Sequence, residues 1–212
     1  MTLFRNMKFF DIHTHNHDAD DNCSILNCAS YITGRSISIG IHPWNIDKEW
    51  RMRLAEIEEN ADKENVWAIG ECGIDKTNSP ADIETQKIIF HQQAAIAEKA
   101  SKPTIIHCVK GIDEIIAIHK NIKPKQAWII HGFRGNRIQA EQLVKQGFYI
   151  SLGERFNEDT VRAIPEERLF IESDESTRNI ADIYKNIAIA RNISIEKLTE
   201  LIDENRKKIM QF

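Results

Sequence analysis

The feature that most constrains the fold is an alternation of short apolar runs with longer segments of helical period. Eight β-type runs occur, and stretches whose apolar residues recur every three or four positions separate most of them. This pattern is typical of a mostly parallel sheet covered by helices, because parallel strands need long crossover connections. Strands are predicted at residues 9–13, 24–28, 36–41, 66–71, 104–107, 128–131, 148–152 and 169–172.

Eight such strands with helices between them favour one α/β fold, the TIM-like (β/α)8 barrel. Helices are predicted at residues 48–61, 83–99, 112–120, 137–146, 159–163, 181–191 and 195–209, with Ser194 capping the last one. Residues 16–39 are too few for two full strand–helix units, so we expect a barrel that is distorted or trimmed there. No biased linker interrupts the chain, and a single domain over residues 1–212 is expected.

Charge and composition limit the partners and the compartment. The chain carries 28 Lys and Arg against 32 Asp and Glu, a net charge of −4, so contact with a polyanion needs a local basic patch or a bound metal. No segment approaches the roughly 18 apolar residues of a membrane span, and the four cysteines form no CxxC pair. We expect a cytoplasmic protein with reduced thiols and no membrane association, and infer no obligate protein partner.

Two histidines follow one another closely at the end of the first predicted strand. Side chains two positions apart on a strand share a face, so His13 and His15 point the same way, with Asp11 behind them. Two imidazoles on one face form half of a site for a divalent transition metal. Taken alone, the pattern fits a pair of surface histidines equally well.

Four later strands also end in residues of metal-ligand type, namely Glu71, His107, His131 and Asp174. The C-terminal ends of barrel strands converge on one face, where active sites are built. Packing does not explain such repeated placement. We therefore expect a metal site on that face, formed by His13, His15, Glu71, His107, His131 and Asp174.

The order of the motifs resembles that of the TatD-type metal-dependent deoxyribonucleases, a family of amidohydrolase-like barrels. The matching segments are DIHTH at 11–15, GIHP at 40–43, GECGID at 70–75, IH at 106–107, HGF at 131–133 and ESD at 172–174. The resemblance implies two divalent ions (Zn²⁺, Mg²⁺ or Mn²⁺) bridged by Glu71. It places His13, His15 and Asp174 on one ion and His107 and His131 on the other.

The function implied by this resemblance is metal-dependent hydrolysis of a phosphodiester, with DNA or a small phosphodiester as the substrate. Glu71 and Asp174 are the expected catalytic residues. The two ions would activate a hydroxide, and Asp174 would accept and donate the proton during hydrolysis. Two alternatives remain open. The same barrel could hydrolyse a carboxyl ester, lactone or amide, or the protein could be a catalytically impaired metal-binding interaction protein.

Substrate contacts are expected from residues that depart from the family pattern. The family commonly has Arg where this chain has Val109, whereas Arg134 stands where the family has a small polar residue. We expect Arg134 first, and Lys110 second, to contact phosphate. They belong to a basic rim that also includes Lys76, Arg137, Arg155 and Arg178.

Two further residues have alternative interpretations. His42 follows the third predicted strand, so it either touches the substrate or a metal-bound water, or structures its own loop. Asp75 is placed in the loop after Glu71, where it either orients a ligand or caps that loop.

Overall fold

A computed structural model describes residues 7–210 and has eight parallel strands at its centre. Neighbouring strands pair in chain order, from the first to the eighth. The strands are β1 (Asp11–Thr14), β2 (Ser24–Cys28), β3 (Ile37–Ile39), β4 (Val66–Asp75), β5 (Thr104–Val109), β6 (Trp128–Ile130), β7 (Tyr149–Leu152) and β8 (Leu169–Ile171).

The sheet closes on itself where the chain leaves β1 and β8. The backbone N–H of Asp174 donates to the carbonyl of His13, and the backbone N–H of His15 donates to the carbonyl of Asp174, each at 3.0 Å. Thr14 and Asp174 thereby form a parallel bridge. The predicted TIM-like barrel is confirmed.

Helices cover the barrel from β3 onward, and their boundaries agree with the helical period of the sequence. The predicted helices 83–99 and 195–209 are confirmed to the residue, and the Ser194 hydroxyl accepts from the Lys197 N–H as the expected cap. No helix among residues 7–210 is long and apolar enough to cross a membrane. The helices are α1 (Trp50–Asn60), α2 (Ile83–Lys99), α3 (Ile112–Ile122), α4 (Arg137–Lys145), α5 (Glu158–Ala163), α6 (Ile180–Arg191) and α7 (Ile195–Ile209), with 3-10 turns at Pro43–Asn45 and Glu166–Arg168.

The barrel is trimmed at its beginning, as the spacing predicts. Within the described part of the chain, residues 15–23 join β1 to β2 and residues 29–36 join β2 to β3 without a helix. Hydrogen bonds hold the second connection against the barrel instead. Asn65 donates to the carbonyls of Ile32 and Arg35, and the Tyr31 hydroxyl donates to Asn65.

The hydrophobic core consists of two clusters of buried side chains. The smaller one packs α1 and α2 on β2, β3 and β4, through residues such as Ile39, Ile57 and Ile89. The larger one covers the rest of the barrel, where Trp128 and Tyr184 are among the largest fully buried side chains. Burial of this apolar area is the main force that closes the barrel.

Strand β4 is longer than predicted, and this corrects the placement of Asp75. The strand continues through Asp75, which therefore lies at the strand end and not in a loop. Gly70 and Gly73 have φ angles of 147° and 146°, and a Cβ at Gly73 would collide with the carbonyl oxygen of His107. Because glycine tolerates both the conformation and the close approach, β4 stays paired with β5 beyond Glu71.

Candidate metal centre

The six predicted ligand-type residues meet at the carboxyl end of the barrel. His13 lies on β1, Glu71 on β4 and His107 on β5. The other three, His15, His131 and Asp174, directly follow β1 or lie just beyond β6 and β8. Five different strands thus bring their ends to one place, as expected for a barrel.

Glu71 is buried at the centre of this group, and its two carboxylate oxygens face different predicted ligands. Its Oε1 lies 2.8 Å from Nδ1 of His107 and 2.7 Å from Nε2 of His131. Its Oε2 lies 3.3 Å from Nε2 of His13 and 3.6 Å from Nε2 of His15. This is the arrangement required of a carboxylate shared between two sets of ligands.

Asp174 completes one of the two sets. Its Oδ1 lies 3.6 Å from Nε2 of His15 and 3.7 Å from Nε2 of His13. Its backbone has a φ of 53°, in the left-handed region, and the two hydrogen bonds to β1 hold it there. His13, His15 and Asp174 present ligand atoms that all lie within 4.8 Å of one another.

His42 joins the centre and also structures its own loop, while its contact with a substrate or a metal-bound water stays a prediction. Its Nε2 lies 3.0 Å from Oε1 of Glu71 and 3.2 Å from Nδ1 of His107. Its Nδ1 accepts the backbone N–H of Trp44 at 3.0 Å. His42, Glu71 and His107 form a second group of ligand-type atoms.

Glu172 is a buried member of the centre that the sequence interpretation left without a role. Its Oε1 accepts from the backbone N–H of Gly132 and lies 3.4 Å from Nδ1 of His131. With His131 and Asp174 it forms a further ligand-type group. The sequence signal that could have identified Glu172 is its position as a charged residue directly after the short apolar strand β8.

Asp75 both orients a ligand-type histidine and caps the loop that follows it. Its Oδ2 accepts the indole N–H of Trp44 at 2.6 Å and lies 3.3 Å from Nε2 of His107. Its Oδ1 accepts the backbone N–H groups of Thr77 and Asn78. Burial acts to raise the pKa of Asp75, but these hydrogen bonds lower it to about 2. The ionised carboxylate thus fixes His107 with Nδ1 toward Glu71.

Glu71 and His131 shift each other's proton affinity in opposite directions. Burial acts to raise the pKa of Glu71, but the charge of His131 and a hydrogen bond from His107 hold it well below its usual value. Burial acts to lower the pKa of His131, yet Glu71 and Glu172 hold it well above its usual value. The centre therefore favours ionised carboxylates and attracts positive charge, whether a proton or a cation.

The donor set fits a divalent cation. The His13 side chain is fully buried, and Nδ1 of its ring has no hydrogen-bond partner among residues 7–210, while Nε2 faces only the carboxylates of Glu71 and Asp174. Leaving a buried polar atom unpaired costs about 1–3 kcal/mol, so a ligand for His13 is expected. Imidazole nitrogens with carboxylate oxygens suit Zn²⁺ and Mn²⁺, and carboxylates also suit Mg²⁺.

A cavity of about 330 Å³ opens beside Asp174 at the mouth of the barrel. Arg134 and Arg155 line it together with four acidic residues, which are Glu154, Glu172, Asp174 and Glu175. Neither arginine forms an ion pair within the described part of the chain, and the same holds for the exposed Lys110.

The other half of the predicted basic rim is neutralised by carboxylates. Lys76 pairs with Glu114 at 2.6 Å, Arg137 with Glu141 at 2.7 Å and Arg178 with Glu154 at 2.6 Å. These three residues are therefore weaker candidates for holding an anion than Arg134, Arg155 and Lys110.

Comparison with known proteins gives a consistent result. The sequence profile described as TatD related DNase matches residues 4–211. The uncharacterized metal-dependent hydrolase YabD of Bacillus subtilis is 29% identical over 197 residues, which cover 82% of this chain and 76% of that protein. The 3'-5' ssDNA/RNA exonuclease TatD of Pantoea vagans is 28% identical over 199 residues, 81% of this chain and 76% of that enzyme.

A solved structure confirms the architecture independently. The crystal structure of YjjV, a TatD homologue from Escherichia coli K12, matches with a TM-score of 0.83 and covers 97% of this chain and 99% of its own. At 18% identity this match supports the fold. Because the family profile spans nearly the whole sequence, the chain belongs to the TatD related DNase family of metal-dependent hydrolases.

Proposed function

We propose that this protein is a phosphodiesterase that uses two divalent ions to hydrolyse nucleic acid, with single-stranded DNA as its principal substrate. The observation that carries the proposal is that the two oxygens of Glu71 face separate sets of imidazoles, His13 and His15 on one side and His42, His107 and His131 on the other. Relatives named as exonucleases for single-stranded DNA and RNA support the choice of substrate. A small phosphodiester would enter the same site.

In this proposal the residues divide into two ligand sets that share Glu71. His13, His15 and Asp174 would hold one ion, and His107 and His131 the other, with His42 close enough to contact the second ion or the substrate. Bound divalent ions supply Lewis acidity toward water and the phosphoryl oxygens. Zn²⁺, Mg²⁺ and Mn²⁺ are all compatible with these donors.

Asp174 is the proposed group for moving the proton. Its side chain is 26% exposed, whereas Glu71 is only 4% exposed, so water reaches Asp174 more readily. A carboxylate at the mouth can accept a proton from the attacking water and pass it to the leaving oxygen. The buried Glu71 would hold the two ligand sets together and keep their charge balanced.

Arg134 is the proposed contact for a substrate phosphate. It lines the cavity beside Asp174 and has no carboxylate partner among the described residues, so its guanidinium remains available for an anion. A guanidinium can grip a phosphate through two parallel N–H groups, whereas Lys110 offers a point charge. Arg155 lines the same cavity and would offer a second guanidinium to the substrate.

A substrate and metal screen tests this proposal. The protein would be incubated with a single-stranded oligonucleotide, the same sequence as a duplex, a small phosphodiester and a small carboxyl ester, each with Mg²⁺, Mn²⁺, Zn²⁺ or EDTA. We expect the single strand to be cleaved fastest and EDTA to stop cleavage. Faster turnover of the carboxyl ester would support an esterase instead. Metal binding without turnover of any substrate would support an interaction protein.

A further inference from the structure

A half-exposed aromatic side chain lies beside the metal centre and is not one of the candidate metal ligands. Trp44 lies in the 3-10 turn after β3, two residues beyond His42, and is 48% exposed. It is the only aromatic among the exposed large apolar residues of the described chain. The others are Ile32, Met52, Ile88, Ile138 and Ile189.

The Trp44 ring is held in a fixed orientation. Its indole N–H donates to Oδ2 of Asp75 at 2.6 Å, and its backbone N–H donates to Nδ1 of His42. Its ring centroid lies 4.8 Å from that of His42 and 5.7 Å from that of His107, with interplanar angles of 78° and 74°. An exposed aromatic that is rigid before binding gives up little conformational entropy when a ligand contacts it.

The position of Trp44 relative to Glu71 suits a nucleotide. One layer of imidazole separates the indole from Glu71, since His42 and His107 both contact the Trp44 ring and have ring nitrogens 3.0 Å and 2.8 Å from Oε1 of Glu71. A sugar bridges a comparable separation between a base and its phosphate. Arg134 and Arg155 line a cavity beside Asp174, a second carboxylate of the centre. A strand whose phosphate lies at Glu71 can therefore place a base toward Trp44.

We propose that Trp44 is a stacking platform for one unpaired nucleobase of the substrate, next to the phosphodiester that is hydrolysed. This inference rests on the proposed function and adds a base-binding subsite to it. Every base has a π-face, so recognition by stacking tolerates any sequence. A base within a duplex has both faces covered by its neighbours, so the platform would favour single strands.

A second role for Trp44 must be separated from stacking, because its N–H also holds Asp75, which in turn faces His107. The variants Trp44→Leu and Trp44→Phe make this distinction. Both lose the indole N–H, but only Trp44→Phe keeps an aromatic face. Because Trp44 is half exposed, neither variant removes core packing, and circular dichroism would check that both fold.

The test compares an oligonucleotide with one in which the 3′-terminal nucleotide lacks its base. For the intact oligonucleotide, we expect Trp44→Leu to raise KM by roughly 5-fold to 100-fold, the range seen for base–aromatic stacking. Trp44→Phe should remain within a few-fold of the original protein. For the abasic oligonucleotide, all three proteins should have similar KM values. Equal losses for Trp44→Leu and Trp44→Phe would overturn the proposal, because they would trace the effect to Asp75.

A binding measurement makes the inference testable apart from catalysis. In EDTA, a short thymidine oligonucleotide should quench the tryptophan fluorescence of the original protein, whereas an abasic backbone of equal length should not. Trp44→Leu should lose this quenching. Quenching in EDTA together with no cleavage after Mg²⁺, Mn²⁺ or Zn²⁺ is added would support base stacking on Trp44 and contradict the proposed hydrolysis. If the Trp44→Leu variant cleaved the oligonucleotide as well as the original protein, base stacking on Trp44 would be overturned and the proposed hydrolysis would be supported.

Discussion

Glu71 is the residue on which both ligand sets depend, and its replacement gives the sharpest single-residue prediction. Glu71→Gln keeps the size of the side chain but removes the charge that faces five imidazoles. Loss of a residue that only hydrogen-bonds to a metal ligand typically weakens metal binding about 10–100-fold. Replacement of a ligand shared by both ions should therefore weaken the binding of each ion at least about tenfold. Calorimetry and metal analysis would measure this.

The matched control for this variant is Glu175→Gln, which removes an exposed carboxylate next to Asp174. It should bind close to two ions, like the original protein. If Glu71→Gln lost one ion and kept the other at full affinity, Glu71 would not be the bridge.

Arg134 gives a second prediction, on substrate affinity. Arg134→Ala should raise KM for an oligonucleotide by roughly 10-fold to 100-fold, the equivalent of one charge-assisted contact, and flatten the salt dependence of KM. A small neutral ester should be almost unaffected. Arg137→Ala is the control, because Arg137 is already paired with Glu141. Equal effects on the oligonucleotide and the ester would remove Arg134 from the phosphate contact.

Strands β4 and β5 hold Glu71 and His107 at the correct separation, and Gly73 makes their close approach possible. Gly73→Ala would force a methyl group into the carbonyl of His107 at a φ of 146°. Overpacking and the unfavourable backbone together should lower the free energy of unfolding by roughly 2–5 kcal/mol. Denaturant unfolding would measure the loss.

Gly147→Ala is the control for the backbone contribution alone. Gly147 also has a positive φ, 97°, but a Cβ there would meet nothing within 4 Å. It should lower the free energy of unfolding by roughly 1–2 kcal/mol. Similar losses in the two variants would show that the approach of β4 to β5 is not sterically limited.

The elements that the sequence predicts best are those whose signals are local. Helices α2 and α7 have regular apolar periods and side-chain caps at Asp82 and Ser194, and both boundaries were predicted to the residue. The extension of β4 could not be predicted, because it depends on a backbone contact between Gly73 and His107, which lie far apart in the sequence.

The same distinction applies to the centre. The sequence predicts that the six ligand-type residues lie together, because strand ends in a barrel converge. The contact of His42 with Glu71 and that of Glu172 with His131 could not be predicted in the same way. They depend on loop conformations that leave no periodic pattern in the sequence. The Asp75 side chain shows this most clearly, because it serves a loop and a histidine at once.

The barrel as a whole should be stabilised by its ions, because the ligands come from strands around its circumference. A ligand at 100 times its dissociation constant adds about 2.7 kcal/mol to the free energy of unfolding. For a chain of this length that corresponds to a rise in Tm of roughly 5–10 °C. Thermal unfolding with and without EDTA would measure it.

Glu71→Gln serves as the control for this whole-molecule effect. Its Tm in EDTA should lie close to that of the original protein, while added metal should raise it far less. An unchanged Tm of the original protein across saturating Zn²⁺, Mn²⁺ and Mg²⁺ would contradict the idea that the ions tie the strands together.

The seam between β1 and the residue after β8 sets an order of events during synthesis. The backbone of Asp174 pairs with His13 and His15, so the last proposed ligand is also the piece that closes the ring. A ribosome delivers the N-terminal strands first. A nascent chain that ends before Asp174 has the early histidines but neither a closed ring nor the carboxylate at its mouth. Hydrolytic competence therefore requires translation to have passed Asp174, although the first histidines of the centre are made at the start of the barrel.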